Sequence, residues 1–153
     1  MKTRMFGIVP MADGELAAMD GGTHGVSGHT VRVLPDGTAR WERRLDSMRP
    51  TGRAGSGALS LETGEPARIA AWAEEAWRLG DPAKPWPPPA AGGDHPFVPR
   101  PPPPWVWAVL VRRGDEVRSV EGSTWTGAPP ELEPLLAWLR ARVDAASEAD
   151  PDT

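Results

Sequence analysis

The chain has 153 residues and a formal net charge of −4, which suits one domain and leaves little room for two. Gly and Pro account for 36 residues, about twice their ordinary usage, while Leu, Ile, Val and Phe account for only 26. Eight Trp residues supply part of the missing apolar surface, since each can bury about 150–250 Å². This composition predicts one globular domain with large unstructured parts.

The residue types that are absent exclude several chemistries. The sequence has no Cys, Asn or Gln, so disulfides, thiolate metal sites, Cys nucleophiles and N-glycosylation are excluded. Of 17 basic residues, 15 are Arg, a bias typical of a GC-rich genome, so it does not indicate nucleic-acid binding. No apolar run approaches the ~20 residues of a membrane span, and the apolar stretch before Pro10 is too short for a signal peptide. We therefore expect a soluble, cytoplasmic protein that binds neither nucleic acid nor membranes.

The first third of the chain predicts a strand, a loop and a hairpin. Residues 5–9 suit a short strand, and the Gly-rich residues 11–28 suit a loop with a helical turn at Glu15–Met19. Residues 29–45 then alternate on both sides of Pro35-Asp36-Gly37-Thr38. Because Asp-Gly tolerates the positive φ of a tight turn, this pattern predicts a β-hairpin.

A helix and a proline-rich connector follow. Residues 46–57 suit a loop and residues 58–61 a short strand. Apolar residues at helical spacing then predict an amphipathic helix over residues 65–79. The apolar stripe of this helix consists of Ile69, Trp72, Ala73, Ala76 and Trp77. Residues 82–104 hold eleven of the nineteen prolines and predict an extended, polyproline-like connector.

The last third predicts a second hairpin and a second helix. Residues 105–111 are all apolar, which favours a central strand, and residues 116–122 return from a turn at 112–115. A helix starts near residues 131–134, because Pro134 is tolerated only in a first turn, and runs to about residue 146. Its apolar stripe consists of Leu132, Leu135, Leu136, Leu139 and Val143.

These elements indicate an α+β fold in the order ββα, Pro-rich connector, ββα. An antiparallel sheet of four to five strands with both helices packed on one face would bury both apolar stripes. The predicted domain spans residues 1–147 and includes the connector, while residues 148–153 form an acidic, disordered tail. The expected core residues are Trp41, Trp72, Trp77, Trp107, Leu135 and Leu139.

Three features together resemble the emfourin family of small bacterial proteins. They are the Gly-Gly segment Asp20-Gly21-Gly22-Thr23-His24-Gly25, a helix rich in Ala and Glu, and a closing unit. The closing unit comprises Trp105–Val111, the turn Arg112-Arg113-Gly114-Asp115-Glu116-Val117, and Pro129-Pro130-Glu131-Leu132 with Leu135, Leu136 and Leu139. The resemblance covers about two thirds of the chain as spaced hydrophobic and turn residues. It implies an inhibitor of thermolysin-like metalloproteases, and it assigns no site residue.

Two chemical hypotheses compete at the Gly-rich segment. His24 and His29, with Asp13 and Asp20 nearby, outline a metal site in a small metal-dependent or small-molecule enzyme. No His-x-x-x-His or His-Glu-x-x-His spacing supports it, and exposed histidines on a loop and a strand edge are the alternative. No Gly-x-Ser-x-Gly or phosphate-binding Gly motif is present either. The sequence therefore assigns no catalytic residue, no metal ligand and no cofactor.

The function that the sequence favours is binding to another protein, with a protease as the partner that the resemblance implies. Contact residues concentrate on loops and in preformed polyproline segments. The candidate contact residues are Gly21, Gly22, Thr23, His24, Arg49, Arg53, Trp86 and Phe97. A third hypothesis is a structural component that assembles through the Pro-rich segment. The oligomeric state stays open.

Overall fold

A computed structural model describes residues 11–22, 28–44, 55–84, 86, 105–124 and 126–149. These residues form an α+β fold in which a six-stranded antiparallel sheet packs against two helices. In chain order the elements are β1 (Leu16–Gly22), β2 (Gly28–Val33), β3 (Ala39–Arg44), β4 (Gly55–Leu59), α1 (Glu65–Leu79), β5 (Trp105–Arg113), β6 (Glu116–Ser123) and α2 (Glu133–Ala149). The strand order across the sheet is β4-β3-β2-β1-β5-β6.

The strand that sequence reasoning missed is β1. Residues 11–28 were expected to form a loop with a helical turn, and for Leu16–Gly22 this is wrong. β1 lies at the centre of the sheet, between β2 and β5. Its Ala and Met residues favour helices locally, but long-range pairing on both sides outweighs that preference. The sheet consequently has six strands in its described part and not the four to five expected.

The first hairpin is confirmed. β2 and β3 pair in antiparallel register from Gly28 to Val33. Gly37 in the turn has a φ of 92°, which a residue with a side chain rarely adopts. The Asp36 carboxylate accepts hydrogen bonds from the backbone N–H of Thr38 at 2.9 Å and from its hydroxyl at 2.7 Å. This local bonding explains why the turn could be predicted from four residues.

Both helices form where apolar spacing predicts them. α1 has the expected bounds, and its Pro66 lies in the first turn, where a missing N–H costs nothing. α2 also carries a proline, Pro134, in its first turn. It continues to Ala149, past residue 147, where the acidic tail was expected to begin. Neither helix has the length and apolar character of a membrane span in the part of the chain that the structure describes.

The strand register arranges one side of the sheet into three rows that run across the strands. Two rows are mainly apolar, and their apolar side chains belong to one core cluster that also contains residues of both helices. The first row is Leu59, Ala39, Val33, Leu16, Val111 and, at its β6 end, Arg118, and the second is Gly57, Trp41, Val31, Ala18, Val109 and Val120. The third row, at one end of the sheet, is Gly55, Arg43, His29, Asp20, Trp107 and Gly122. Charged groups therefore concentrate at that end.

The expected core is largely correct. Trp41, Trp107, Leu135 and Leu139 are buried, while Trp72 and Trp77 are partly buried and pack against the core. Trp138 of α2, which the sequence did not single out, is also buried. Its ring centroid lies 5.8 Å from that of Trp72, so the two helices contact each other directly.

Each edge strand of the described sheet places a glycine opposite a tryptophan of its inner neighbour. Gly57 of β4 pairs with Trp41, and Gly122 of β6 pairs with Trp107. A Cβ atom on Gly122 would lie 2.6 Å from Trp107 Cζ2 and 2.7 Å from Thr126 Oγ1. At Gly57 the nearest atom, Trp41 Nε1, would be 3.2 Å away. The Trp107 indole therefore depends on a glycine more strictly than the Trp41 indole does.

We predict that Gly122→Ala destabilises the protein by about 1–3 kcal/mol, because the indole of Trp107 must move to admit the methyl group. Gly57→Ala is the matched control and should cost less than about 1 kcal/mol, because its neighbour has to shift by only a few tenths of an ångström. Urea unfolding of the two variants measures the difference. Equal losses would contradict the close approach of Trp107 to Gly122.

Candidate functional site

The polar end of the sheet is organised around a buried carboxylate. Asp20 of β1 is 1% exposed. Its Oδ1 lies 2.7 Å from Nδ1 of His29 on β2, and its Oδ2 accepts a hydrogen bond at 2.6 Å from Nε of Arg140 on α2. A carboxylate this deeply buried is stable as an anion only when cations and donors surround it. Asp20 therefore fixes both His29 and Arg140 in place.

A second carboxylate extends this network along α2. Nε2 of His29 lies 2.9 Å from Oδ1 of Asp144, and Nε of Arg43 lies 3.3 Å from the same oxygen. Arg43 also donates to the buried Ser147 hydroxyl at 3.3 Å. We call Asp20, His29, Arg43, Arg140 and Asp144 the charged network. It joins three neighbouring strands of the sheet, β1, β2 and β3, to one side of α2.

The geometry sets the protonation state of His29. Each ring nitrogen faces a carboxylate oxygen within hydrogen-bond distance, so both nitrogens must carry a proton for both contacts to be favourable. Burial lowers the pKa of His29, but the hydrogen bonds and negative charges of Asp20 and Asp144 outweigh it and raise the pKa above 6.5. The two contacts and the raised pKa both favour the imidazolium form of His29.

This arrangement bears on the metal hypothesis. A metal ligand or general base needs a nitrogen lone pair, and both nitrogens of His29 act as donors to aspartates. Within the described ranges, no group of three or more His, Cys, Asp or Glu residues could hold a metal ion. Asp20 and His29 do meet, as their closeness in sequence suggested, but as an ion pair. His24 lies outside the described residues.

A cleft with a volume of about 670 Å³ opens beside the charged network. Its wall combines apolar side chains from β5 and α2 with three ionisable groups. The residues that line it are His29, Trp105, Val106, Trp107, Ser123, Thr124, Gly127, Ala128, Glu133, Leu136 and Arg140. An apolar cleft of this size with a few convergent polar groups is typical of ligand-binding sites.

Two tryptophans give the cleft its shape. Trp107 is buried, and its Nε1 donates a hydrogen bond to the Gly127 carbonyl at 3.1 Å. The ring of Trp86 packs against that of Trp107 with centroids 5.6 Å apart. Trp105 is 44% exposed, and its backbone N–H bonds to Thr124 Oγ1 at 3.2 Å. The cleft thus combines a rigid indole with an accessible one.

Three of the predicted contact residues lie at this end of the molecule. Gly22 pairs with Trp105 and Gly21 with Val106, so both glycines belong to a strand and not to the expected loop. Trp86 contacts Trp107, as described above. The other predicted contact residues, Thr23, His24, Arg49, Arg53 and Phe97, lie outside the described residues, as do the predicted strand at 5–9 and most of the Pro-rich connector.

Sequence reasoning did not identify Arg140 and Asp144. A signal was present, because Leu136, Arg140, Asp144 and Ser147 follow one another at spacings of four, four and three. On a helix these positions share a face, so an arginine and an aspartate continue a face that begins with buried Leu136. Charged residues on such a face need partners of opposite charge. In the folded chain Arg140 contacts Asp20, and Asp144 contacts His29.

A second buried carboxylate joins the two helices. Glu65, at the start of α1, accepts hydrogen bonds from Trp138 Nε1 at 2.5 Å and from the Glu62 backbone N–H at 2.7 Å. Burial raises the pKa of Glu65, but these bonds and the charges of Arg142 and Arg68 lower it below its ordinary value. Glu65 is therefore a structural anion and lies apart from the cleft.

Neither a protein-family model, nor a curated protein, nor a solved structure matches this chain. The resemblance to emfourins stays a prediction from the sequence. The functional argument therefore starts from the cleft and the charged network.

We predict that Asp20→Asn destabilises the protein by about 3–5 kcal/mol, the usual loss when one partner of a buried ion pair is removed. The amide has one acceptor oxygen for two cations, and its NH₂ group opposes the other cation. Asp144→Asn is the matched control. Because Asp144 is 44% exposed, its loss should cost about 1 kcal/mol or less. Chemical unfolding of both variants tests this order, and a reversed order would contradict it.

The stability of the protein should depend on pH through His29. Since folding raises the pKa of His29, its contribution is complete below pH 6.5 and is lost as the pH rises through the raised value. The difference in unfolding free energy between the natural protein and His29→Gln should therefore be constant in mild acid and shrink in alkali. Urea unfolding over this pH range provides the measurement. A difference that grows with pH would contradict the imidazolium assignment.

Proposed function

We propose that the protein is a non-enzymatic binding module that engages another protein at the cleft. The observation that carries this proposal is the exposed Trp105, a large apolar side chain that lines the cleft. Trp is enriched among the residues that dominate binding energy at protein interfaces. The cytoplasmic location of the protein stays a prediction from the sequence.

The rigidity of the surrounding structure supports binding. β5 pairs on both sides, with β1 and with β6, so the backbone that carries Trp105 is held in the sheet. The opposite wall comes from α2, which the charged network ties to the sheet. A preformed site loses little conformational entropy on binding. The proposal takes both helices to cover one face of the sheet, which the Trp72–Trp138 contact supports.

The state of His29 favours binding over catalysis at this site. A general base needs a free lone pair, and here both ring nitrogens hold aspartates. The ionisable groups of the charged network join α2 to the sheet and so position the walls of the cleft, which is a structural role.

We predict that Trp105→Ala abolishes capture of the partner while leaving stability nearly unchanged. The indole is largely accessible, so its removal costs the fold little, whereas a central Trp at an interface is worth about 2 kcal/mol or more. The immobilised full chain, Trp105→Ala and the control Arg44→Gln are each exposed to lysate of the native organism. Mass spectrometry should identify a protein that binds to the natural chain and to Arg44→Gln but not to Trp105→Ala. A partner that all three retain equally would contradict the role of the cleft.

The resemblance to emfourins adds a more specific form of this proposal, in which the partner is a thermolysin-like metalloprotease. The position of Gly21 and Gly22 beside Trp105 and Val106 supports it, because the Gly-Gly segment then borders the cleft. Thermolysin itself serves as the probe. We expect the full chain to inhibit the hydrolysis of a peptide substrate by thermolysin. The Trp105→Ala variant should inhibit it at least tenfold more weakly. If thermolysin kept its full activity at a high concentration of the full chain, the protease-inhibitor hypothesis would be wrong, and the proposal of a binding module would stand.

A further inference from the structure

Arg140 offers hydrogen-bond donors to the cleft. Its Nε is bound to Asp20 at 2.6 Å, which fixes the plane of the guanidinium, and the side chain is 50% exposed where it lines the cleft. Among the described residues, Asp20 is the only hydrogen-bond or ion-pair partner of Arg140. Arginine has five N–H donors. Four of them, on the two terminal nitrogens, have no partner in the part of the chain that the structure describes and can donate to a ligand.

The charge balance at this end of the sheet favours an anion. The charged network contains three cations, His29, Arg43 and Arg140, against two carboxylates. One positive charge is left over, and Arg140 is the cation that lines the cleft. Glu133, the carboxylate that lines the cleft, lies seven residues before Arg140 on α2, about 10.5 Å along the helix axis. At that distance it leaves the Arg140 charge exposed to a ligand.

The walls of the cleft also carry apolar side chains, beside the polar Ser123 and Thr124. Trp105 and Leu136 line the cleft together with Trp107 and Ala128. A ligand that fills the cleft would thus place a carboxylate at Arg140 and an apolar group against Trp105. The Glu133 carboxylate could accept a hydrogen bond from an N–H group farther along the same ligand.

We propose that the cleft binds the C-terminal residue of a partner protein, with the α-carboxylate on Arg140 and an apolar side chain against Trp105 and Leu136. This inference rests on the proposed function and names the part of the partner that is recognised. Only at a chain end do a carboxylate and an apolar side chain branch from one carbon atom. An extended chain advances about 3.3 Å per residue, so three residues cover about the same length as the helix rise between positions 140 and 133. There a backbone N–H can donate to the Glu133 carboxylate.

The test compares acetyl-Ala-Ala-Leu bearing a free carboxylate with the same peptide as its C-terminal amide. Titration of the full chain is followed by calorimetry or by NMR shifts. The free acid should bind at least tenfold more tightly than the amide, because only the acid carries the charge that Arg140 pairs with. This comparison leaves the protein unaltered, so folding does not enter into it.

Variants assign the effect to the cleft. Arg140→Gln should lower the affinity for the acid at least tenfold and leave the amide nearly unaffected. Arg44→Gln is the matched control, since it removes the same charge from a side chain of similar exposure that does not line the cleft. Trp105→Ala keeps Arg140 and its bond to Asp20, and it should weaken the acid and the amide alike.

Three results would overturn the inference. The first is equal affinity for the acid and the amide. The second is the absence of saturable binding of either peptide up to about 10 mM, which is a weak limit for specific recognition. The third is that acetyl-leucine alone binds as tightly as the tripeptide. The last would assign the cleft to small carboxylic acids. A partner captured by the natural chain and equally by Arg140→Gln would overturn this inference and leave the proposed function standing.

Discussion

The Asp20 carboxylate lies almost fully buried between a protonated His29 on the neighbouring strand and Arg140 on α2. Removing a carboxylate from water costs several kcal/mol, so the buried anion is tolerated only while both cations stay in place. That requirement fixes the distance between the sheet and α2 at the end where the cleft opens. The same requirement holds the guanidinium of Arg140 beside the cleft. One buried charge thus links the stability of the fold to the shape of its binding site.

Buried carboxylates recur in this small domain, and each has an arginine partner. Glu15 pairs with Arg32, and Glu65 faces Arg142 where the two helices meet. A chain with few Leu, Ile, Val and Phe residues buries limited aliphatic surface, and tryptophan supplies much of the rest. Buried ion pairs add little net stability, but they strongly disfavour arrangements in which a partner is missing. In this protein the Asp20–Arg140 pair joins α2 to the sheet, and the Glu65–Arg142 pair joins α1 to α2.

The sequence was sufficient where a signal is local. The hairpin around Gly37 and both helices follow from turn chemistry and apolar spacing, and the structure has them at or near the predicted bounds. β1 could not be predicted in this way, because its Asp20-Gly21-Gly22 end has the composition of a loop. Asp20 is compatible with a central strand only because His29 and Arg140, the latter 120 residues away, both contact its carboxylate. The cleft was unpredictable for the same reason, since its walls come from segments that meet only in the fold.

The protonation state of His29 is the most direct test of this account, and ¹⁵N NMR of the imidazole ring in the full chain measures it. The account predicts that at pH 7 both ring nitrogens of His29 carry a proton and show imidazolium shifts, because Asp20 and Asp144 each accept one of them. A neutral ring at that pH, with one nitrogen unprotonated, would contradict it. The three cations would then reduce to two, and Arg140 would have no excess charge to offer a carboxylate.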